Sequence, residues 1–376
     1  MTPAELLRWM TGTALPLWAA HGVEADGGFA ELLTADLQPI ARPRRARLTA
    51  RQVYVFATGT RLGWEGAGLR IARSGLEILS RRFVRLDGTV VPRLQTDGRA
   101  TCAGHDLYDD AFVLFALAAL SPDPAAEALA RRVTLALADR SLAGGGYSDG
   151  HAGPGRRLAN PHMHLFEAAI AWAATGRPGP WRGIAAGLAR LARQRLIQRD
   201  TGVIPEVYAA DWTPVPDADG LLIEPGHLFE WGWLLIRWGR MSGDKGAVAD
   251  GERLGRTAEA HGLAADGTVL DALNERLEVR AHWARLWPQA ERAKFWQEVA
   301  SCESGAKRSD AIGRRDCALR ALARFLSGPR PGLWREERRP DGTFVDEPVR
   351  ASSLYHIISA ADVMAGAVPV YEEVLR

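Results

Sequence analysis

Cysteine is scarce in this sequence. Cys102, Cys302 and Cys317 are the only three, and none pairs with another at the short spacing of a redox motif or a zinc knuckle. A disulfide framework is thereby excluded, and a reducing compartment is expected. An excess of one charge is missing too: 47 Lys and Arg stand against 45 Asp and Glu, a net charge of +2 that gives no reason to expect nucleic acid or a membrane surface as partner. The one dense basic run, Arg42-Pro43-Arg44-Arg45-Ala46-Arg47, reads as a solvated loop leading into a helix. No apolar stretch is long enough to span a bilayer. The start, Met1 to Met10, reads as a capped amphipathic helix and lacks the basic, apolar and small-residue order of a secretory signal. There is no HExxH, no GxSxG and no Walker-type glycine loop, which removes zincin, α/β-hydrolase and P-loop chemistry. No linker or shift in composition splits the chain. Residues 1–376 are expected to form a single cytoplasmic domain.

What is present is repetition. Glycine turns recur at Asp26-Gly27-Gly28-Phe29, Asp87-Gly88-Thr89-Val90, Gly145-Gly146-Tyr147, Thr201-Gly202-Val203-Ile204, Asp266-Gly267-Thr268-Val269 and Asp341-Gly342-Thr343-Phe344. Each is followed by a short β-type segment. Between them lie helical patterns at about 3–20, 47–64, 68–83, 107–120, 124–142, 161–175, 181–197, 226–240, 246–261, 283–300, 310–327 and 351–366. Two helices and a turn, repeated six times, predict an all-α protein: an (α/α)6 barrel with short β-hairpins in its loops. An open α-solenoid is the alternative, but it needs polar capping repeats that the terminal segments do not supply.

Residues able to do chemistry gather near predicted helix starts. In Glu224-Pro225-Gly226-His227-Leu228-Phe229-Glu230, a Pro-Gly pair suits a helix start, and Glu224, His227 and Glu230 recur at spacing three on one face. His227 reads as an acid–base group oriented by Glu230, with Glu224 near a polar ligand. In Asn160-Pro161-His162-Met163-His164, Asn160 reads as an N-cap that shares a pocket with His164, four residues on. His162 and His164, two apart, point in different directions on a helix, and no third ligand follows, so no metal is expected. Arg51 precedes an apolar turn and would sit over a pocket mouth. Tyr108, among Asp106, Asp109 and Asp110 at a helix N-terminus, is a candidate ligand contact; helix capping accounts for most of that acidity. Trp287, before Pro288, offers a flat face for a sugar ring. His356 follows a serine-capped start at Ser352-Ser353 and is the third histidine placed about one turn into such a helix.

Taken together, Arg51 to Phe56, Asp106 to Phe112, Asn160 to His164, Glu224 to Trp231, Arg285 to Gln289 and Ser352 to His356 resemble, in order and over nearly the whole chain, the N-acylglucosamine 2-epimerase superfamily of sugar epimerases and isomerases. The resemblance implies the same (α/α)6 barrel, no cofactor, and chemistry through a cis-enediolate of the ring-opened sugar. It implies that His227 and His356 are the acid–base pair, without saying which opens the ring. His164 would polarise the O1/O2 region and Arg51 would stabilise the enediolate. Asn160, Glu230 and Tyr108 would hold hydroxyls, and Trp287 would stack on the ring. The expected activity is aldose–ketose isomerisation of mannose-type sugars, with 2-epimerisation as the alternative. Glycoside hydrolysis on the same toroid is less expected, because the carboxylates cluster with histidines instead of flanking a bond as a pair. Arg156 and Arg157 leave a phosphorylated or sulfonated sugar open, and the chain is compatible with a homodimer.

Overall fold

The helical patterns fold into rods arranged in two concentric rings. The structure is a computed structural model that describes residues 1–100, 104–150 and 155–366, so Cys102 lies outside the described residues. In chain order the helices are α1 (Pro3–Trp9), α2 (Leu15–His21), α3 (Ala46–Arg61), α4 (Gly68–Ile78), α5 (Leu107–Ala119), α6 (Pro124–Ala138), α7 (Ala159–Ala174), α8 (Trp181–Leu191), α9 (Pro225–Ser242), α10 (Lys245–His261), α11 (Leu286–Cys302), α12 (Gly305–Phe325) and α13 (Leu354–Ala365). A π turn at Met10–Ala14 joins α1 and α2 into one rod.

Helices α3, α5, α7, α9, α11 and α13 each pack on the next, and α13 packs back on α3. That closes an inner ring. Helices α4, α6, α8, α10 and α12 each cover the inner helix before them, and α1 covers α13. The result is an (α/α)6 barrel; the closure of α13 on α3 disposes of the open solenoid. Composition explains which helix goes where. Nearly every residue of α5 and α9 is buried, because their sequences are apolar all round. The outer helix α6 buries one stripe, Ala126, Leu129, Ala130, Val133 and Leu137, and turns its arginines outward.

The recurrent glycine turns are structural equivalents. Gly27, Gly88, Gly145, Gly202, Gly267 and Gly342 all have φ between 72° and 88°, the left-handed region that glycine adopts freely. Five of the six turns are closed by the same antiparallel bridge, such as Val23 with Phe29 and Leu263 with Val269. Short antiparallel strand pairs tie the rods at the same end as these turns. Arg44–Arg45 pairs with Arg93–Leu94, Arg156–Leu158 with Val207–Ala209, Ala284–Arg285 with Glu337–Arg338, and Leu32–Leu33 with Val349–Arg350. In each pair one strand leads straight into α3, α7 or α11, or into the short 3-10 turn before α13. The N-terminal ends of inner helices are therefore stapled together.

Several local expectations shift. The basic run at 42–47 is no solvated loop: Arg44 pairs with Glu24 and Asp26, Arg45 with Glu31, and Arg47 with Asp106 and Asp109. Helix α7 begins at Ala159, where the strand Arg156–Leu158 delivers the chain, so Asn160 lies inside the first turn and caps nothing. Helix α12 starts at Gly305, earlier than its apolar pattern suggests, because its first turns are exposed. Among the described residues no helix is long and apolar enough to cross a membrane.

Candidate active site

All nine residues singled out in the sequence line one cavity of about 200 Å³, at the N-terminal ends of the inner helices. Each inner helix delivers at least one: Arg51 from α3, Tyr108 from α5, Asn160 and His164 from α7, His227 and Glu230 from α9 with Glu224 just before it, Trp287 from α11, and His356 from α13. Arg285, Glu336, Arg350, Ser352 and Ser353 complete the lining.

Trp287 stands between two histidines, its ring centroid 4.8 Å from that of His227 and 5.5 Å from that of His356. Gly226 makes this approach feasible: a Cβ there would lie 2.6 Å from the indole. The two histidines sit in opposite electrostatic settings. The Nδ1 of His227 is 2.8 Å from Glu206 Oε1 and 3.8 Å from Glu224 Oε2. Burial alone would lower its pKa, but the charges of Glu206 and Glu224 outweigh burial and lift it to about 9. Burial pushes the Glu206 carboxyl up as well; with two carboxylates on one imidazole, the proton resides on His227.

His356 Nδ1 is likewise 2.8 Å from a carboxylate, Glu291 Oε1. That carboxylate is already neutralised: Lys294 Nζ lies 2.7 Å from its other oxygen, and both residues are fully buried. The indole NH of Trp233 donates to the same oxygen at 3.1 Å. Burial raises the Glu291 pKa, but Lys294 and His356 more than offset it and hold it down to about 2. With its partner's charge spent on Lys294, burial dominates at His356 and lowers it to about 4. His164 is neutral for the same reason, also pushed down to about 4 by burial, although Glu167 Oε2 lies 3.2 Å from its Nδ1.

Two assignments need correction. Glu230 does not orient His227; Glu206, from the loop before the strand Val207–Ala209, does so. The Glu230 carboxylate lies 3.5 Å from His164 Nδ1, and neither of its oxygens takes a hydrogen bond from the described protein. Burial, reinforced by Glu291, drives its pKa well above the usual carboxylate range. Ser353 caps no helix; its hydroxyl donates to Glu336 Oε2 at 2.7 Å. Arg51 donates to the Tyr108 hydroxyl at 2.8 Å and lies 4.1 Å from the Phe112 ring centroid, with no carboxylate partner among the described residues. The Asn160 side-chain oxygen is buried and has no hydrogen-bond partner among the described residues.

His162 points elsewhere, as its spacing from His164 predicts. Its Nδ1 donates to the Leu158 carbonyl at 2.8 Å and its Nε2 accepts from the Tyr147 amide at 3.0 Å, a structural role. Arg157 donates to the Ala210 carbonyl at 2.7 Å, and neither it nor Arg156 lines the cavity. Three groupings, His164 with Glu167 and Glu230, His227 with Glu206 and Glu224, and His356 with Glu230 and Glu291, bring potential ligand atoms within 4.8 Å of one another. In each the histidine Nδ1 already faces a carboxylate, so a cation would have to displace that contact. The chemistry the arrangement offers is proton transfer between a charged and a neutral imidazole across an aromatic floor.

The chain is thus a closed double ring of helices with a polar pocket at the N-terminal mouth of the inner ring. The model of the N-acylglucosamine 2-epimerase (GlcNAc 2-epimerase) family matches residues 27–360. A protein named mannose-6-phosphate isomerase, from Rhizobium meliloti (strain 1021), is 37% identical over 368 residues, covering 95% of each chain. The crystal structure of a D-mannose isomerase superposes with a TM-score of 0.87 at 17% identity, covering 96% of this chain and 97% of the other. That of the cellobiose 2-epimerase of Spirochaeta thermophila DSM 6192 gives 0.82 at 22% identity, covering 100% and 97%. The chain belongs to the N-acylglucosamine 2-epimerase family and is an enzyme of the isomerase–epimerase class.

Proposed function

We propose that this enzyme interconverts an aldose of the mannose type and its ketose, with His227 as the acid that opens the ring and His356 as the base that moves the carbon-bound proton. The observation that carries this reading is the contrast across Trp287: an imidazolium held by two carboxylates on one side, a neutral imidazole on the other. The sugar ring lies on Trp287. His227 donates a proton to the ring oxygen O5 and the C1–O5 bond breaks; as O1 becomes a carbonyl oxygen, its hydroxyl proton passes to the vacated nitrogen of His227 and restores the imidazolium. His356 takes the proton from C2, and the electron pair moves into a cis-enediolate whose oxygen charge faces Arg51. Return of the proton to C1 on the same face gives the ketose, with the O2 proton relayed to O1. Return to C2 on the opposite face would give the 2-epimer, and this needs the second imidazole.

His164, kept neutral and backed by Glu167, polarises the O1/O2 region. Glu230, Tyr108 and Asn160 hold hydroxyls, and Glu224 fixes Arg285 at 2.7 Å beside them. The name of the Rhizobium relative places mannose 6-phosphate beside mannose as a first substrate to try. Charge favours the neutral sugar. Of the described arginines that line the cavity, Arg285 is tied to Glu224 and Asp271 and Arg350 to Glu337 and Glu347, which leaves Arg51 alone without a carboxylate, and that guanidinium faces the enediolate.

The deciding experiment is proton NMR of the protein with D-mannose, and separately with mannose 6-phosphate, in D2O. Fructose formed with its C1 proton transferred or exchanged is the expected result. Glucose appearing first, with exchange at C2, would replace isomerisation by epimerisation, and a product from the phosphate ester alone would overturn the neutral-sugar assignment.

A further inference from the structure

The barrel has a second mouth. At the C-terminal ends of the inner helices lies a chamber of about 610 Å³, larger than the catalytic cavity and sharing none of its lining. Its wall is divided like a sugar. Phe115, Ile170 and Val363 give it an apolar side. The polar side carries the two-pronged pair of Arg61 with Asp362, with nitrogen–oxygen distances of 2.7 and 3.0 Å. The guanidiniums in the lining all face carboxylates: besides Arg61 with Asp362, Arg177 lies 2.8 Å from Glu127 and Arg237 3.2 Å from Glu298. Among the described residues an anionic ligand finds no unpaired guanidinium here, while hydroxyls find both donors and acceptors.

The lining of the chamber also includes Glu167. One of its oxygens accepts from the Tyr355 hydroxyl and faces His164 Nδ1; the other, Oε1, has no hydrogen-bond partner among the described residues. This buried carboxylate forms the wall between the chamber and the histidine that lines the catalytic cavity. Burial raises its pKa, but His164 and Lys294 more than compensate, and it remains an anion able to accept further hydrogen bonds.

We propose that the rear chamber is a second carbohydrate site, taking a neutral hexose or linear polyol, whose occupant acts on the catalytic cavity through Glu167. The coupling to turnover rests on the isomerase reading above; binding to the chamber does not.

The probe is D-mannitol, which has no carbonyl carbon and cannot be turned over. Saturation-transfer NMR reports its binding directly, and initial rates with mannose report coupling. Mannitol is expected to bind the wild type and to change kcat at least twofold, where a competitor at the catalytic cavity would raise KM alone. Ala171→Trp, which fills the chamber from α7 without touching the catalytic lining, should retain kcat and KM within about twofold and lose the kcat effect. Ala174→Trp at the rim of the chamber repeats the block if the first variant does not fold. Purely competitive mannitol with the same strength in wild type and variant, or no saturation transfer to the wild type, overturns the proposal. Should no sugar be turned over at all, the isomerase reading falls, while loss of the saturation transfer in Ala171→Trp still decides whether the chamber binds.

Discussion

His227 and His356 show how one kind of side chain is held charged in one place and neutral in another. Each faces a buried glutamate at 2.8 Å; the difference lies one contact further out. Glu291 is bound to Lys294, whereas Glu206 has Glu224 as a neighbour carboxylate of the same histidine. Activity should therefore fall on two limbs. It declines as pH drops through about 4, where His356 gains a proton, and again as pH rises through about 9, where His227 loses one. Lys294→Met removes the charge that occupies Glu291, so the His356 pKa rises and the acid limb moves up by about one unit or more. Glu206→Gln removes the anion that holds the imidazolium, so the His227 pKa falls and the basic limb moves down by a similar amount. Profiles of kcat/KM against pH check both, and limbs that stay in place would refute the division of roles.

These partners also mark where the sequence stops being readable. Glu167 was within reach, three residues from His164 on one helix face. Glu206 comes from a loop 21 residues before His227, and Glu291 from another helix 65 residues before His356. No periodicity links them. Glu230 has the right spacing to serve His227, but spacing fixes only which face a side chain shares, and the free ring nitrogen went to a carboxylate from outside the helix.

At the scale of elements, the helices were legible because apolar residues mark them at the helical period, and the turns because glycine must supply a positive φ. Helix starts were less so, since strands in the loops deliver the chain into α7 and a strand has only two or three residues to show itself. Close packing decides how the rods meet. Helix α10 lies against α9 at glycines: a Cβ on Gly251 would sit 2.5 Å from the Gly232 carbonyl oxygen and 3.0 Å from the Ile236 nitrogen. Both obstacles are backbone and cannot rotate away. Gly251→Ala should thus push α10 outward and cost about 1–3 kcal/mol of stability, in the range of overpacked cores. Urea denaturation measures it; because α10 is an outer helix, KM for the sugar should change little. A variant as stable as the wild type would show that the two backbones are not in contact.

For the whole molecule, the ring makes distant parts of the chain mutually dependent. Trp18 stacks on Trp334 with centroids 5.1 Å apart and donates to the Gly332 carbonyl at 3.3 Å. Gln52 donates to the Ala351 carbonyl at 2.8 Å. Residues 1–366 should unfold as one unit, with a single calorimetric transition. Deleting residues 1–21 should lower its midpoint and weaken it throughout, because α13 loses its outer cover and the site loses a firm His356. Two separated transitions in the full chain would instead divide it into domains.

The closure has a consequence during synthesis. The catalytic cavity takes residues from all six inner helices, and the last of them, α13, supplies His356 only after some 350 residues have been made. Helical hairpins can form as they leave the ribosome, each stabilised by its neighbour, yet the sixth wall of the pocket exists only once α13 docks between α11 and α3. A nascent chain is an open arc with five walls of a pocket and no His356. On the proposed mechanism, turnover begins with the docking of one helix, and a chain stopped anywhere short of it is expected to be inert.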